Sequence, residues 1–342
     1  MTLIRESLSI ATLSSTSGAS ETPDAPRGAP IAPPVERRRL AAEIAALDPA
    51  CRVARQGPFE VYCATADRLP STLAEIGRLR EIAFRAVGEG TMQPSDLDRY
   101  DELYHHLFIW SAEDQEVVGA YRLGMVDELV ARHGPDGIYT STLFDYDPAL
   151  FARLGPAIEL GRSFLQPRYQ RQPTGLFLLW RGIGGVLARD PRYRRLIGPV
   201  SISNAYHPRS RALMARFLRQ HCRHPDLAAL VEPRTPFGDE APLVATPIDT
   251  LDALEAATDA IERRHRSLPV LLKEYLRLGG RVLELNLDPL FGDALDALIL
   301  VELDRTEPRR LARYMGPEAA ATFTGAARAA GRAAETSLGA CA

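Results

Sequence analysis

Apolar positions recur at helical or strand spacing along most of this chain, and the changes of period mark its elements. Leu40, Ile44 and Leu47 share one face of a short helix from Glu36 to Leu47 that Asp48 and Pro49 stop. Phe59 to Thr65 (FEVYCAT) alternates like a strand, and Pro70 to Val87 reads as a helix with Leu73, Ile76, Leu79 and Phe84 turned inward. Two apolar runs, Tyr104 to Trp110 and Val117 to Met125, flank Ser-Ala-Glu-Asp-Gln-Glu and predict an antiparallel hairpin with a bulge at Gly119. Asp127 to Gly155 is rich in turn residues and reads as an excursion before the next strand, Ile158 to Leu165. A helix from Gly175 to about Ala188, a strand from Leu196 to Ile202 and a helix from Pro208 to His221 follow. Residues 225 to 250 hold five prolines and read as a long loop. A helix over Ile261 to Leu278, broken at Pro269 and ended by Gly279-Gly280, precedes two closing strands, Arg281 to Leu287 and Leu295 to Leu303. This order predicts an α/β (α+β) fold with one mixed sheet flanked by helices.

The same pattern divides the chain. Residues 1–35, rich in Ser, Thr, Ala, Gly and Pro, predict a disordered leader. Residues 36–58 supply a docking helix and linker, 59–305 the main domain with an inserted loop and helix at 222–268, and 306–342 a helical or disordered tail. At 342 residues and 46% hydrophobic, the chain can bury a large core. A net charge of −3 gives no global field toward nucleic acid, and none is expected as a partner. The segment LSIATLSSTSGA is too polar for a signal peptide, and Arg181 interrupts the best apolar run, so a cytoplasmic location is expected. Cys51, Cys63, Cys222 and Cys341 lie far apart without metal-like spacing, which predicts free thiols in a reducing compartment and no metal.

Candidate chemistry concentrates in residues 159 to 183. Glu159 and Arg162 sit on a predicted strand, and Gln172, Pro173, Thr174 and Gly175 form a turn at the start of an apolar helix. A glycine turn at a helix N-terminus offers free N–H groups and partial positive charge to a pyrophosphate or phosphopantetheine. From spacing alone, Glu159 and Arg162 read equally well as an ion pair closing a strand end.

The motifs resemble the GNAT-fold acyltransferases, in the branch that holds acyl-homoserine-lactone synthases and the hemolysin-like ornithine-lipid N-acyltransferases. Arg80 and Phe84 stand at that family's R-x-x-x-F, Asp98 and Asp101 at its D-x-x-D, Arg122 at the arginine ending the hairpin, and Glu159 with Arg162 at its E-x-x-R. The late segment PVLLKEYLRLGGRVLELNLDPLFGDALDALILVEL resembles the ornithine-lipid branch. Gln172 and Gly175 fit the pyrophosphate loop, and Phe177 departs from it. The resemblance implies a GNAT-like, mostly antiparallel sheet. It also implies transfer of a long-chain (3-hydroxy)acyl group from acyl carrier protein, or from acyl-CoA, to an amino-acid amine, with ornithine the favoured acceptor in bacterial aminolipid synthesis.

Acyl transfer from a thioester to an amine requires a neutral amine, a stabilised oxyanion and a protonated leaving thiol. Glu159 is the expected base, raised by partial burial, and Arg162 is expected to tune it. Backbone N–H groups near Phe164 and Leu165 are the expected oxyanion donors, with Arg171, Gln172 and Gly175 completing the donor site. Arg80, Phe84, Asp98, Asp101 and Arg122 are expected to line the acceptor pocket or to form a salt-bridge network. Tyr206 and Tyr275 are candidates for the leaving-group acid. Glu89 to Asp147 carries thirteen acids against three arginines, whereas Arg162 to Arg195 carries eight arginines and one acid. The basic half suits an acidic carrier protein. The helix at Arg209 to Arg223 reads either as core-facing or as a peripheral contact with anionic membrane. No bound cofactor is expected. Two rival readings remain: a lactone-type signal synthase or small-molecule acetyltransferase, and a non-catalytic membrane-associated binding protein.

Overall fold

The computed structural model describes residues 28–170, 173–238, 248–263 and 266–325. In chain order these form α1 (Arg37–Ala46), β1 (Arg52–Gln56), β2 (Phe59–Thr65), α2 (Pro70–Arg85), α3 (Arg99–Leu103), β3 (His105–Ser111) and β4 (Glu116–Met125). Then come α4 (Val126–His133), β5 (Phe144–Tyr146), α5 (Ala149–Leu154), β6 (Ala157–Leu165), α6 (Pro173–Arg189), β7 (Arg195–Ile202) and α7 (Pro208–His221). The last are β8 (Val231–Pro233), α8 (Leu251–Ile261), α9 (Val270–Arg277), β9 (Arg281–Asp288), β10 (Ala294–Glu302) and α10 (Pro308–Met315).

Eight strands make one sheet in the order β1-β2-β3-β4-β6-β7-β10-β9, and β5 pairs with β8 apart from it. Every pairing in the large sheet is antiparallel except β6 with β7. The mixed, mostly antiparallel sheet expected from the sequence is therefore the one observed. Alternation along its strands feeds two cores. Leu107 and Ile109 of β3 face Leu179, Trp180 and Ile183 of α6. Phe108 and Trp110 of the same strand face Ile76 and Leu79 of α2, with Leu40 and Ile44 of α1. The hairpin β3–β4 carries its bulge where Ile109 pairs with Gly119 and Trp110 with Val117, leaving Val118 extra.

The parallel pair holds the feature that positions the site. Only three residue pairs join β6 to β7, from Ala157↔Arg195 to Glu159↔Ile197. Beyond them the strands part. Gly198 lies so close to β6 that a Cβ there would fall 2.2 Å from the Leu160 carbonyl oxygen, and Pro199 next to it has no N–H for a ladder bond. On the other strand, Arg162 takes a left-handed φ of 51° within a register shift between β4 and β6. A bulged strand beside a proline-bearing one opens a wedge between them.

Two expectations need correction. The helix read over Ile261 to Leu278 is only α9 (Val270–Arg277), because Pro269 can start a helix but not continue one, and a separate helix, α8 (Leu251–Ile261), precedes it within the segment 222–268 read as an inserted loop and helix. The apolar face of α7 is not free for a membrane: Leu213, Met214, Phe217 and Leu218 are at most 5% exposed and belong to the main core. Among the described residues, no helix is long and apolar enough to cross a membrane.

Candidate active site

The D-x-x-D spacing has a local cause. Asp98 caps α3, accepting from Tyr100 N at 2.8 Å, while Asp101 accepts from Asp98 N at 2.8 Å, so the two form a capping box. The same two carboxylates also meet arginines from three other elements. Arg80 of α2 makes a two-pronged contact with Asp101 at 2.9 and 3.0 Å and donates to Asp96 at 2.9 Å. Arg122 of β4 donates to Asp98 at 2.6 Å and lies 3.2 Å from Asp101. Arg162 of β6 lies 3.3 Å from Asp96 and 3.5 Å from Asp98. Burial alone would lift the Asp101 carboxyl, but Arg80 and Arg122 outweigh it and hold that group well below the usual range. Three arginines and three aspartates thus neutralise one another.

Glu159, one residue short of the point where β6 and β7 part, is 1% exposed. It accepts hydrogen bonds from Tyr139 N at 3.0 Å, Thr140 N at 2.9 Å, and the hydroxyls of Tyr104 and Thr140. Both oxygens are occupied, and the residue does not line the cavity described below. This corrects its expected role as base: a carboxylate already held by four donors has no approach open to a substrate amine. What Glu159 holds is the turn Tyr139–Thr142, from the segment read as an excursion. Tyr139 in turn accepts from Arg162 Nη1 at 3.1 Å.

A cavity of about 320 Å³ fills the wedge between β6 and β7. Leu160 to Leu165 form one wall and Pro199 to Ser201 the other. One end is apolar, lined by Leu165, Leu176, Val200, Leu268, Leu271 and Tyr275. The other end is ionic, with Glu89, Asp288, Asp296 and Arg162 beside Phe84 and Phe291. The Arg162 guanidinium sits 4.7 Å from the ring centre of Tyr139 and 4.4 Å from that of Phe291, which fixes its plane. Burial works against its charge, but Tyr139, Asp96 and Asp98 keep it cationic.

The three carboxylates behave unlike those of the ion network. Burial foremost, with Asp288 and Glu89 adding to it, pushes Asp296 up to about 7 against the opposing pull of Ser201 and Arg162. Burial likewise lifts Glu89 to about 7, with Arg266 opposing and Asp288 reinforcing. Asp288 is raised too, mainly by burial. Phenols line the cavity too: burial and neighbouring Tyr121 lift Tyr275 well above 10, and burial raises Tyr206, which lies near Arg266 and Glu89 and whose hydroxyl donates to Ser267 O.

Of the residues expected from sequence, Arg162, Phe84, Phe164 and Leu165 line the cavity. Gly175 packs behind it, where a Cβ would meet Leu165 at 3.0 Å. Arg171 and Gln172 lie outside the described residues. Arg80, Asp98, Asp101 and Arg122 come together as expected, but as a network beside the cavity rather than as its lining. Sequence reading missed Glu89, Ser201, Asp288 and Asp296. One signal existed: Asp296 is the only charge within ALDALILV, a run that pairs on both edges.

Residues 79–181 match the acetyltransferase (GNAT) domain. The glycine N(alpha)-acyltransferase of Bacteroides thetaiotaomicron is 32% identical over 293 residues, covering 80% of this chain and 86% of its own. The chain belongs to the GNAT N-acyltransferases. This acyltransferase is also 28% identical over 272 residues to the L-ornithine N(alpha)-acyltransferase of Brucella abortus, covering 74% of this chain and 89% of that one. Among solved structures, the acyl-homoserine-lactone synthase LasI aligns with a TM-score of 0.36 and 13% identity, over 72% of this chain and 91% of that one. The N-acyltransferase identity sets aside the binding-protein reading.

Proposed function

We propose that this enzyme moves a long-chain (3-hydroxy)acyl group from acyl carrier protein to the α-amine of ornithine, in bacterial aminolipid synthesis. The observation that carries the proposal is the two-ended cavity in the β6/β7 wedge. A thioester laid along the wedge puts its alkyl chain against Leu176, Val200 and Leu271 and its carbonyl beside the β6 backbone from Ser163 to Leu165. The ionic end takes the acceptor: Arg162 pairs with its carboxylate, and the acids opposite suit a molecule with two amines. The basic stretches after Arg162, with Arg209 and Arg223 at the surface, complement an acidic carrier.

In this reading Glu159 is a positioning residue. It holds Tyr139, which holds Arg162, and the Arg80–Asp101–Arg122 network holds the same arginine from its other side through Asp96 and Asp98. The amine attacks directly, without an acyl-enzyme.

Glycine is the second reading for the acceptor, favoured by the identity to the Bacteroides thetaiotaomicron enzyme. Lipid mass spectrometry of a bacterial host that lacks aminolipids, with and without this protein, separates them. An N-acylated ornithine is expected; an acylated glycine moves the acceptor to the second reading; no acylated amino acid contradicts both. A competition between acyl carrier protein and coenzyme A thioesters of one chain length tests the donor, with the carrier-bound form expected to react faster.

A further inference from the structure

We propose that Asp296 is the general base of this acyltransferase, a role that rests on the acceptor site placed above. Asp296 sits on β10, a strand paired on both edges, and is 3% exposed. Its backbone therefore has little freedom. It lines the cavity together with Arg162, Asp288 and Glu89, all of which act on its charge. Its Oδ1 accepts from Ser201 Oγ at 2.7 Å, from the residue it pairs with on β7. Among the described residues Oδ2 takes no hydrogen bond, so one oxygen is fixed and the other is available. The Glu159 carboxylate, by contrast, has neither oxygen free.

The groups facing Asp296 are Ser201 from β7, Asp288 from the end of β9, Glu89 from the loop after α2, Arg162 from β6 and the Tyr139 phenol from the turn that Glu159 holds. Two further carboxylates make a site that attracts an ammonium and disfavours three simultaneous negative charges. Glu89 titrates in a similar range but is opposed by Arg266 and stands on a loop, outside the sheet. Asp288 accepts from Leu290 N at 3.0 Å in capping a turn. Of the three, Asp296 alone stands within a strand paired on both edges, whereas Asp288 ends the edge strand β9.

The acceptor ammonium gives one proton to Asp296, which passes it to solvent between turnovers. The neutral nitrogen attacks the thioester carbonyl carbon, forming C–N and moving the π pair to oxygen. As the tetrahedral adduct collapses, C–S breaks, and the nitrogen's second proton ends on the departing thiolate. The products are an amide and a free carrier thiol.

The test is the pH dependence of kcat/KM for the purified enzyme with an acyl carrier thioester and ornithine or glycine. Wild type should lose activity below about pH 7, a limb that belongs to the coupled cluster of acids. Asp296→Asn should lose at least about 100-fold in kcat/KM at pH 7, mostly in kcat, because Asp288 and Glu89 still attract the acceptor's ammonium. Its deficit should shrink as the pH rises toward the value at which the amine deprotonates unaided. Ser201→Ala keeps the carboxylate but removes its donor, so its acid limb should move to higher pH. If Asp296→Asn stays within about threefold of wild type and keeps the same acid limb, the assignment to Asp296 is overturned while the acyl-transfer reading stands. If wild type itself transfers nothing to either amino acid, both fall together.

Discussion

Glu159 and Arg162 stand three residues apart on one strand, a spacing that simple alternation would turn to opposite faces, yet across the bulge at Arg162 both reach Tyr139 and serve different duties. Glu159 is enclosed by donors and holds a turn; Arg162 reaches the cavity. Glu159→Gln keeps the shape but, whichever way the amide turns, sets its N–H against a backbone N–H of Tyr139 or Thr140 that can only donate, and should lower stability by about 1–3 kcal/mol. That loss is read from chemical denaturation. Because its partner Tyr139 orients Arg162, the same variant should also raise the acceptor KM. Arg162→Lys keeps the charge but loses the stacked plane between Tyr139 and Phe291, and should raise acceptor KM by about tenfold or more. An unchanged KM in both variants would remove Arg162 from the acceptor site. At this scale the sequence was only partly informative. Residue types at recognisable spacings marked where charge gathers, and the structure brings Arg80, Asp98, Asp101, Arg122 and Arg162 together. Spacing could not tell a saturated carboxylate from an available one, because that depends on Tyr104, Tyr139 and Thr140, which reach Glu159 from as far as 55 residues away.

The wedge between β6 and β7 is the element on which function depends, and it arises from small local causes. Gly198 permits the close approach at its base, Pro199 removes a ladder donor, and the bulge around Arg162 bends the opposite wall. Gly198→Ala would drive a methyl into the Leu160 carbonyl and force the strands apart where they should still be paired. A stability loss of about 1–3 kcal/mol is expected, with activity falling further than stability because both cavity walls shift. Denaturation and turnover measured on one preparation check this. Strand and helix periods were readable from the sequence because each element has one buried face: β3 shows it in alternating contributions to two cores. The short helix α8 and the clamp at Tyr139–Thr142 escaped, since neither carries a long periodic run and both are held by tertiary contacts.

Across the whole molecule, two populations of buried carboxylate act on stability in opposite directions. Asp101, held low by Arg80 and Arg122 despite burial, contributes stability that is present above the unfolded carboxyl value of about 4 and is lost as pH falls. Asp296 and Glu89 are raised to about 7, so the folded chain binds their protons more tightly than the unfolded chain does. Stability therefore declines as pH rises through the window from about 4 to about 7, and stays reduced above it. Asp296→Asn should remove that cost. The variant is expected to be more stable than wild type by on the order of 2–4 kcal/mol at pH 8, with the difference vanishing near pH 4. A gain in stability paired with a loss of turnover is the mark of a group strained for function. The overall architecture, one mixed sheet flanked by helices, was readable because the order of strands and helices left few packings, while its mostly antiparallel pairing came from the family resemblance. The acidic end of the cavity was not, because Glu89 and Asp296 are 207 positions apart and meet only through the completed sheet.

The central claim is that acyl transfer to an amine takes place in the β6/β7 wedge, and one measurement addresses it most directly. Purified protein is mixed with a long-chain acyl carrier thioester and an amino acid, and carrier thiol and N-acyl product are quantified by mass spectrometry. Wild type is compared with Leu271→Trp, whose indole would fill the apolar end of the cavity from a partly exposed position. The expected result is stoichiometric release of thiol and amide by wild type. The variant should lose long-chain transfer by tenfold or more while retaining part of its activity toward a short-chain thioester. Equal rates for wild type and Leu271→Trp with the long chain would place the chemistry somewhere other than this wedge.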